Sequence, residues 1–258
     1  MWEIAKNTVK EFLRLKIVYI GIVVWIILIF SSYLLQTLTV NNGNRVIIDF
    51  SLTMIELFGL LMTLFLGSYI LFNEFSKKTV LLILSRIEKK WHFIVGKFIG
   101  FAVIVFLIYL ILSIGFVLAL YFHWLKFEFY YLEAIFLSYI KILIVLAFVI
   151  FFSTFVNPFL ALIASLFLYL VSHSTAFMLF FSQMDKEKSI SPAIQELIKV
   201  TYYVLPNFQD LSMKEYFLSP YLSNYTNFHF MLSTIFGGLF YILILLWLSC
   251  LIFERKEF

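Results

Sequence analysis

Charged residues are scarce in this chain: they make up 13% of its 258 residues, whereas 63% are hydrophobic. A soluble fold covers its surface with polar side chains, and this chain has too few of them to do so. Its length would suit one or two soluble domains, but apolar runs long enough to cross a membrane fill most of it. The composition therefore predicts a single membrane domain over residues 1–258, with no room for a separate catalytic domain.

Residues that bind metals or nucleic acids are equally poorly represented. The single cysteine, Cys250, excludes an intramolecular disulfide, and three of the four histidines (His92, His123 and His229) show no ligand spacing. The formal net charge of +4 is what excess Lys and Arg in cytoplasmic loops would give a membrane protein. We therefore expect no metal site and no nucleic-acid partner.

A phosphate-binding loop is also missing. Gly96 and Lys97 form a Gly-Lys pair, but no Ser or Thr follows Lys97, and the glycine that such a loop requires five residues before Gly96 is absent. We therefore predict that the chain is not an enzyme by itself and binds no cofactor. Any ATP-driven work would need a separate chain.

The apolar runs predict an all-α integral membrane protein with six transmembrane helices. The polar residues near 41–44 and the pair Asn157-Pro158 separate successive spans, since proline can begin a helix but cannot continue one. Amphipathic spacing in residues 1–16 predicts an interfacial helix, and the polar segment 182–228 holds three of the four prolines. The predicted spans cover about 17–38, 50–72, 98–122, 134–156, 158–181 and 230–253.

The distribution of Lys and Arg predicts the orientation of these spans. Twelve of the 19 Lys and Arg residues fall on the side that holds both termini and the 74–97 segment, and six fall on the other side. Cytoplasmic loops carry the excess of cations, so we expect both termini in the cytoplasm, segment 182–228 outside it, and the inner (plasma) membrane as the location. Lys141 belongs to neither set, and we expect it to snorkel outward from the outer end of the fourth span.

The 74–97 segment is the most informative part of the chain. Its pattern predicts an amphipathic, cation-rich helix between the second and third spans, whose apolar side would face the membrane or a groove in a partner. A positive loop that only fixes the topology would show the same cations. The residues that define the segment are Glu74, Lys77, Lys78, Thr79, Leu84, Ser85, Arg86, Gly96 and Lys97.

These residues resemble the permease subunits of the type-2 ATP-binding cassette (ABC) transporter family. In that family a Glu ends the second span, a basic residue and Thr follow, and a Leu-Ser-Arg-like stretch precedes a Gly-Lys pair that opens the third span. The matching positions are Glu74, Lys78-Thr79, Leu84-Ser85-Arg86 and Gly96-Lys97. The interfacial N-terminal helix, the Leu205-Pro206-Asn207-Phe208 sequence and the closing residues 253–258 are also similar to the family.

The resemblance implies a function for the 74–97 segment. It would be a cytoplasmic coupling helix that docks in a separate ATPase subunit, which binds ATP and Mg and moves the spans when it closes. Two six-span halves would surround the path, as a homodimer or with a sister permease. The chain would then be the membrane subunit of an ATP-driven exporter.

Ionisable and polar residues inside the predicted spans are further candidates for function. Glu56 and Lys141 could line a translocation path or pair with each other, because an isolated charge is costly in lipid. Ser172, His173 and Thr175, within a polar quartet of the fifth span, could hold helices together or face the path.

Two other functions remain open from the sequence. A self-contained secondary transporter or channel would also place charges inside the membrane, although it would favour broken helices and internal repeats. A non-transporting anchor could transmit ATPase motion to an extracytoplasmic partner through residues 182–228.

Overall fold

The computed structural model describes residues 2–14, 23–24, 26–27, 30–31, 43–76, 90–184, 191–212 and 228–255. Seven helices are defined within these ranges, and no strand occurs among them. The helices are α1 (Trp2–Arg14), α2 (Gly43–Ser76), α3 (Trp91–Phe122), α4 (Tyr130–Ser153), α5 (Pro158–Met184), α6 (Pro192–Val204) and α7 (Phe228–Arg255). Most of the predicted first span, 17–38, and residues 77–89 of the 74–97 segment lie outside the described residues.

Five of these helices contain a segment that is long and apolar enough to cross a membrane. The segments are Asn44–Phe65, Trp91–Phe122, Tyr130–Ser153, Pro158–Thr175 and Met231–Arg255. The chain is therefore an all-α, multi-pass membrane protein. The prediction of an all-helical membrane domain is confirmed to this extent.

The helices begin and end at different residues from the predicted spans. The second helix begins at Gly43 and the third at Trp91, where the sequence predicted 50 and 98. Hydropathy marks only the part of a helix that lies in hydrocarbon, so polar helical turns beyond it are missed. The polar segment 182–228 contains α6, which begins at Pro192, because proline suits the first turn of a helix.

Helix α4 is the central helix of the bundle. Each residue from Ile140 to Ile150 is buried, and α2, α3, α5 and α7 all pack against this helix. The surrounding helices instead expose large apolar side chains on their outer faces, as Phe65, Phe106 and Phe240 do. This distribution suits a lipid environment, in which the outer surface is apolar and polar groups are turned inward.

Contacts along the helices give their relative directions. Helices α2 and α4 run parallel, since Glu56 contacts Lys141 while a side chain at Gly67, further along α2, would meet Val149, further along α4. Phe93 near the start of α3 stacks on Phe253 near the end of α7, with ring centroids 5.5 Å apart.

Helix α1 packs against the first half of α3. A Cβ atom added at Gly100 would lie 2.8 Å from Cβ of Thr8 and 3.1 Å from the carbonyl oxygen of Ala5, so only glycine permits this close approach. We call the end of the bundle where α1, the start of α3 and the end of α7 meet the α1 end. The opposite end, where α4 begins, is the cap end.

Candidate functional site: a buried ion pair and its cap

Lys141 lies in the middle of α4 with 0% of its surface exposed. Its Nζ donates hydrogen bonds to Oε1 of Glu56 on α2 and, over 2.6 Å, to Oγ of Ser212. The prediction that Lys141 snorkels outward is therefore wrong. A buried cation needs a counter-ion and hydrogen-bond acceptors, and the interior of the bundle provides both.

Helix α5 adds two polar groups to the pair. The hydroxyl of Tyr169 donates to Oε1 of Glu56 over 2.9 Å, and Nδ1 of His173 lies 3.4 Å from Nζ of Lys141. Tyr169 and His173 are one helical turn apart, and their rings stack with centroids 6.0 Å apart. Because the Lys141 ammonium can only donate hydrogen bonds, Nδ1 of His173 is the acceptor in this contact.

Residues 205–212, which we call the cap segment, cover the ion pair. This non-helical segment follows α6 and buries Phe208, Leu211 and Ser212 inside the bundle. The ring centroid of Phe208 lies 5.7 Å from Nζ of Lys141, within the range of a cation–π contact. Non-helical backbone is tolerated at membrane depth where protein surrounds it, and the buried part of the cap segment lies beside Lys141, in the middle of a helix long enough to span a membrane.

Local hydrogen bonds hold the cap segment in shape. Oδ1 of Asn207 accepts from the backbone N–H of Gln209 over 3.1 Å, and Nδ2 of Asn207 donates to Oδ2 of Asp210 over 2.9 Å. The backbone N–H of Phe208 donates to the carbonyl of Ser172 on α5 over 3.3 Å. The segment is thus tied to itself and to α5, and Ser212 is directed at Lys141.

A second polar contact lies close to the pair. The hydroxyls of Tyr109 on α3 and Ser138 on α4 are 3.0 Å apart. A cavity of about 10 Å³, roughly the space of one water molecule, is lined by Glu56, Ser138 and Ser212 among apolar side chains. Polar groups of four helices and the cap segment therefore converge on one small region.

The predicted intramembrane residues are only partly brought together. Glu56, Lys141 and His173 meet in this cluster, whereas Thr175 donates to the carbonyl of Ser172 over 3.1 Å within α5. The Ser172 hydroxyl is buried with no hydrogen-bond partner among the described residues, so this side chain is not part of the cluster.

Sequence reasoning missed Tyr169, Phe208 and Ser212. Tyr169 had a signal, since it lies four residues before His173 on the same helical face. Ser212 had no such signal, because it is 71 residues away from Lys141 in the chain and lies in a non-helical segment.

The predicted coupling residues are described only in part. Glu74 lies in the last turn of α2, and Lys77, Lys78, Thr79, Leu84, Ser85 and Arg86 lie outside the described residues. Gly96 and Lys97 are buried in the first turns of α3. Lys97 is 3% exposed, and its Nζ lies 6.0 Å from the ring centroid of Phe93. Its side chain therefore faces the interior of the described bundle and not its surface.

The chemistry available to the cluster is that of charge and hydrogen bonding. Within the ranges that the structure describes, no group of three or more His, Cys, Asp or Glu residues could hold a metal ion. The cluster can lock α2, α4, α5 and the cap segment together, or exchange its internal partners for a polar ligand when these elements separate.

No family model matches the chain, and no curated protein matches it.

Proposed function

We propose that the chain is the membrane subunit of an ATP-driven ABC exporter and works with a separate ATPase subunit. That subunit would bind ATP and Mg, and its closure would move the membrane helices. The observation that carries the proposal is the Glu74 to Gly100 sequence pattern, together with the position of its flanking helices. The end of α2, the start of α3, helix α1 and the end of α7 share the α1 end of the bundle.

This arrangement supports an orientation with the α1 end in the cytoplasm. In that orientation α1 would be the interfacial helix, residues 74–97 would form the coupling region, and both termini would be cytoplasmic. The predicted span 17–38 would bring the number of spans to six. A second copy of the chain, or a sister permease, would complete the path in the inner membrane.

Helix α2 offers a mechanical link between the proposed coupling region and the buried ion pair. It continues without interruption from Gly43 to Ser76 and carries both Glu56 and Glu74. Eighteen residues separate these two carboxylates along the helix, a distance of roughly 27 Å. A push near Glu74 would therefore change the position of Glu56 relative to Lys141, because a helix transmits displacement along its axis as a rigid body.

Co-purification tests the partner directly. The tagged chain is expressed together with candidate ATPases from the same cell, solubilised in mild detergent and purified, and the retained proteins are identified. We expect an ATP-binding cassette protein to be retained in a fixed ratio. A chain that is stable and active without any nucleotide-binding partner would contradict the proposal.

The buried ion pair supports a second candidate, a self-contained secondary transporter or channel. Ionisable groups and non-helical backbone at membrane depth are typical of ion-coupled sites, and the Glu56–Lys141 pair with the cap segment provides both. Reconstitution of the purified chain in liposomes, once alone and once with its co-purified ATPase, separates the two candidates. Ion or solute flux driven by a gradient, in the absence of ATP, would favour the second, whereas ATPase-dependent activity favours the first. A complex that hydrolyses ATP without flux would point to the non-transporting anchor.

A further inference from the structure

Residues 121–129, which we call the aromatic turn, connect α3 to α4 at the cap end of the bundle. Lys126 and Glu128 are exposed in this turn, but most of its exposed surface belongs to aromatic rings. A surface that faces water rarely groups so many large apolar side chains, so the turn suits another environment. The exposed rings are those of Tyr121, Phe122, Trp124, Phe127 and Phe129.

Trp124 has a backbone conformation that disfavours its own side chain. Its φ is 55°, and within the described ranges it is the only residue other than glycine with a positive φ. This conformation ends α3: the backbone N–H of Trp124 donates to the carbonyl of Tyr121 over 3.2 Å, and that of Leu125 donates to the carbonyl of Leu120 over 3.0 Å. Glycine usually fills this position, because a side chain costs free energy in the left-handed region.

The rest of the chain does not offset this cost. Leu125 packs against the core, and the ring centroid of Phe127 lies 6.3 Å from that of the buried Tyr131 on α4, so the turn has a fixed shape. The side chain of Trp124 nevertheless stays 92% exposed. A strained residue persists where its surroundings favour it, and the surroundings of this ring lie outside the chain.

The aromatic turn continues the outer apolar surface of two membrane-spanning helices. Exposed apolar side chains recur at helical spacing along α3 until the turn, and along α4 from the turn onward. These two rows face lipid, because both helices contain candidate membrane spans. The turn lies where the rows meet. The rows consist of Leu110, Ile114, Val117 and Tyr121 on α3, and of Phe129, Leu132 and Phe136 on α4.

The length of α3 places the turn at the level of the lipid headgroups. The helix has 32 residues, which gives a length of roughly 48 Å. The hydrocarbon core is ~30 Å thick, so α3 extends beyond it into the headgroup layers, and Trp124 lies just after the last residue of this helix. Trp and Tyr are enriched at this level, and a Lys side chain can extend its ammonium to the lipid phosphates.

We propose that the aromatic turn is an interfacial anchor, which inserts the rings of Trp124, Phe127 and Phe129 among the lipid headgroups of the leaflet at the cap end. Lys126 lies beside these rings and extends to the phosphates. Transfer of the Trp124 ring from water into this layer offsets the cost of its backbone conformation. The anchor thereby fixes the depth of α3 and of α4, the helix that carries Lys141. It requires no ATPase and no protein partner.

Quenching of tryptophan fluorescence by brominated lipids tests the depth of Trp124. The chain is reconstituted in phosphatidylcholine vesicles whose acyl chains carry bromine either near the headgroup or near the chain end. The difference between the parent chain and Trp124→Phe isolates the contribution of Trp124. We expect this contribution to be quenched more by the shallow bromines than by the deep ones.

Trp247→Phe is the matched control. Trp247 is also exposed, on α7, but it lies eight residues before Arg255, a depth of roughly 12 Å. Its contribution should be quenched more by the deep bromines. Quenching of Trp124 by neither lipid would mean that water or a second copy of the chain surrounds its ring, and stronger quenching by the deep bromines would place it in the hydrocarbon core. Either result would overturn the proposal.

A labelling experiment tests whether Trp124 holds the turn in the interface. Lys126→Cys in a Cys250→Ser background is labelled in vesicles with a charged, membrane-impermeant maleimide. Trp124→Asn, which removes the ring and tolerates a positive φ, should speed this labelling by about tenfold, the scale of partial burial of an aromatic ring. Trp124→Phe keeps an apolar ring and should change the rate far less.

Unchanged labelling in Trp124→Asn would overturn the anchoring role of this side chain. The melting temperature in detergent checks that both variants fold, and the quenching experiment decides the proposal on the parent chain and conservative variants alone. Since neither assay contains an ATPase, failure of the proposed transport function would leave these results unaffected.

Discussion

Glu56 on α2 and Lys141 on α4 form an ion pair in the interior of the bundle, on two helices that run in the same direction. Tyr169 also donates to the Glu56 carboxylate, and Ser212 also accepts from the Lys141 ammonium. Both charges therefore have partners besides each other, as a buried pair requires. The pair connects two helices of the bundle with the cap segment, so its rearrangement would involve all three.

Removal of one charge from this pair should destabilise the protein strongly. We expect Lys141→Met or Glu56→Gln to lower the free energy of unfolding by about 3–5 kcal/mol. Each substitution leaves the other charge of the pair buried without a counter-ion. The double variant should lose clearly less than the sum of the two single losses. Unfolding of the purified chain by SDS in mixed micelles measures these energies.

Lys199→Met is the control for this series, because Lys199 is exposed on α6 and should change stability by less than ~0.5 kcal/mol. Additive losses in the double variant would show that the two charges do not interact in the folded protein.

The main spans were predictable because lipid demands long apolar helices, and Asn157-Pro158 marked one boundary. The depth of Lys141 was not predictable. The fourth helix begins at Tyr130 and not near 134, and the cap segment covers the side from which water would reach the ammonium. Hydropathy reports the preference of a residue for lipid, and it carries no information on a loop that returns between helices. The Glu56 and His173 contributions were suggested by their polarity, whereas Ser212 depends wholly on tertiary packing.

Two glycines should respond in opposite ways to the same substitution. A Cβ atom at Gly59 would lie 2.5 Å from Cε2 of the buried Tyr109, so Gly59→Ala should cost about 1–3 kcal/mol of stability. At Gly237 the same change enters open space, and better helix propensity should add up to ~1 kcal/mol. Thermal unfolding of both variants in detergent provides the comparison. Similar shifts of the melting temperature in the two variants would contradict the packing described at Tyr109.

The contact between α1 and α3 depends on Gly100. Gly100→Leu should force α1 away from α3, because Thr8 and the Ala5 backbone leave no room for a side chain. Hydrogen exchange measured by mass spectrometry should then show faster exchange of the α1 amides, by about tenfold or more, while α4 keeps its protection. Val103→Leu, on the exposed face of α3, is the control and should leave α1 protected. Unchanged exchange in Gly100→Leu would mean that α1 is held elsewhere.

Charge reversal in the proposed coupling region tests the proposed link between ATP hydrolysis by a partner ATPase and movement of the membrane helices. We expect Glu74→Lys and Arg86→Glu to insert normally and to leave ATP hydrolysis by the complex intact, but to uncouple hydrolysis from helix movement. A cysteine introduced at the exposed Ser191, in a Cys250→Ser background, reports that movement through ATP-dependent labelling by a maleimide. The ATP-dependent change should disappear in both variants.

Glu133→Lys, a charge reversal at the cap end, should keep the full ATP-dependent change in labelling. The comparison is sharp because all three variants reverse one charge, and only two of them alter the segment that would contact the ATPase. If both coupling variants label like the parent chain in the presence of ATP, Glu74 and Arg86 play no part in the mechanism. If hydrolysis itself stops while the ATPase remains bound, these residues act on the nucleotide site and not on transmission of its motion.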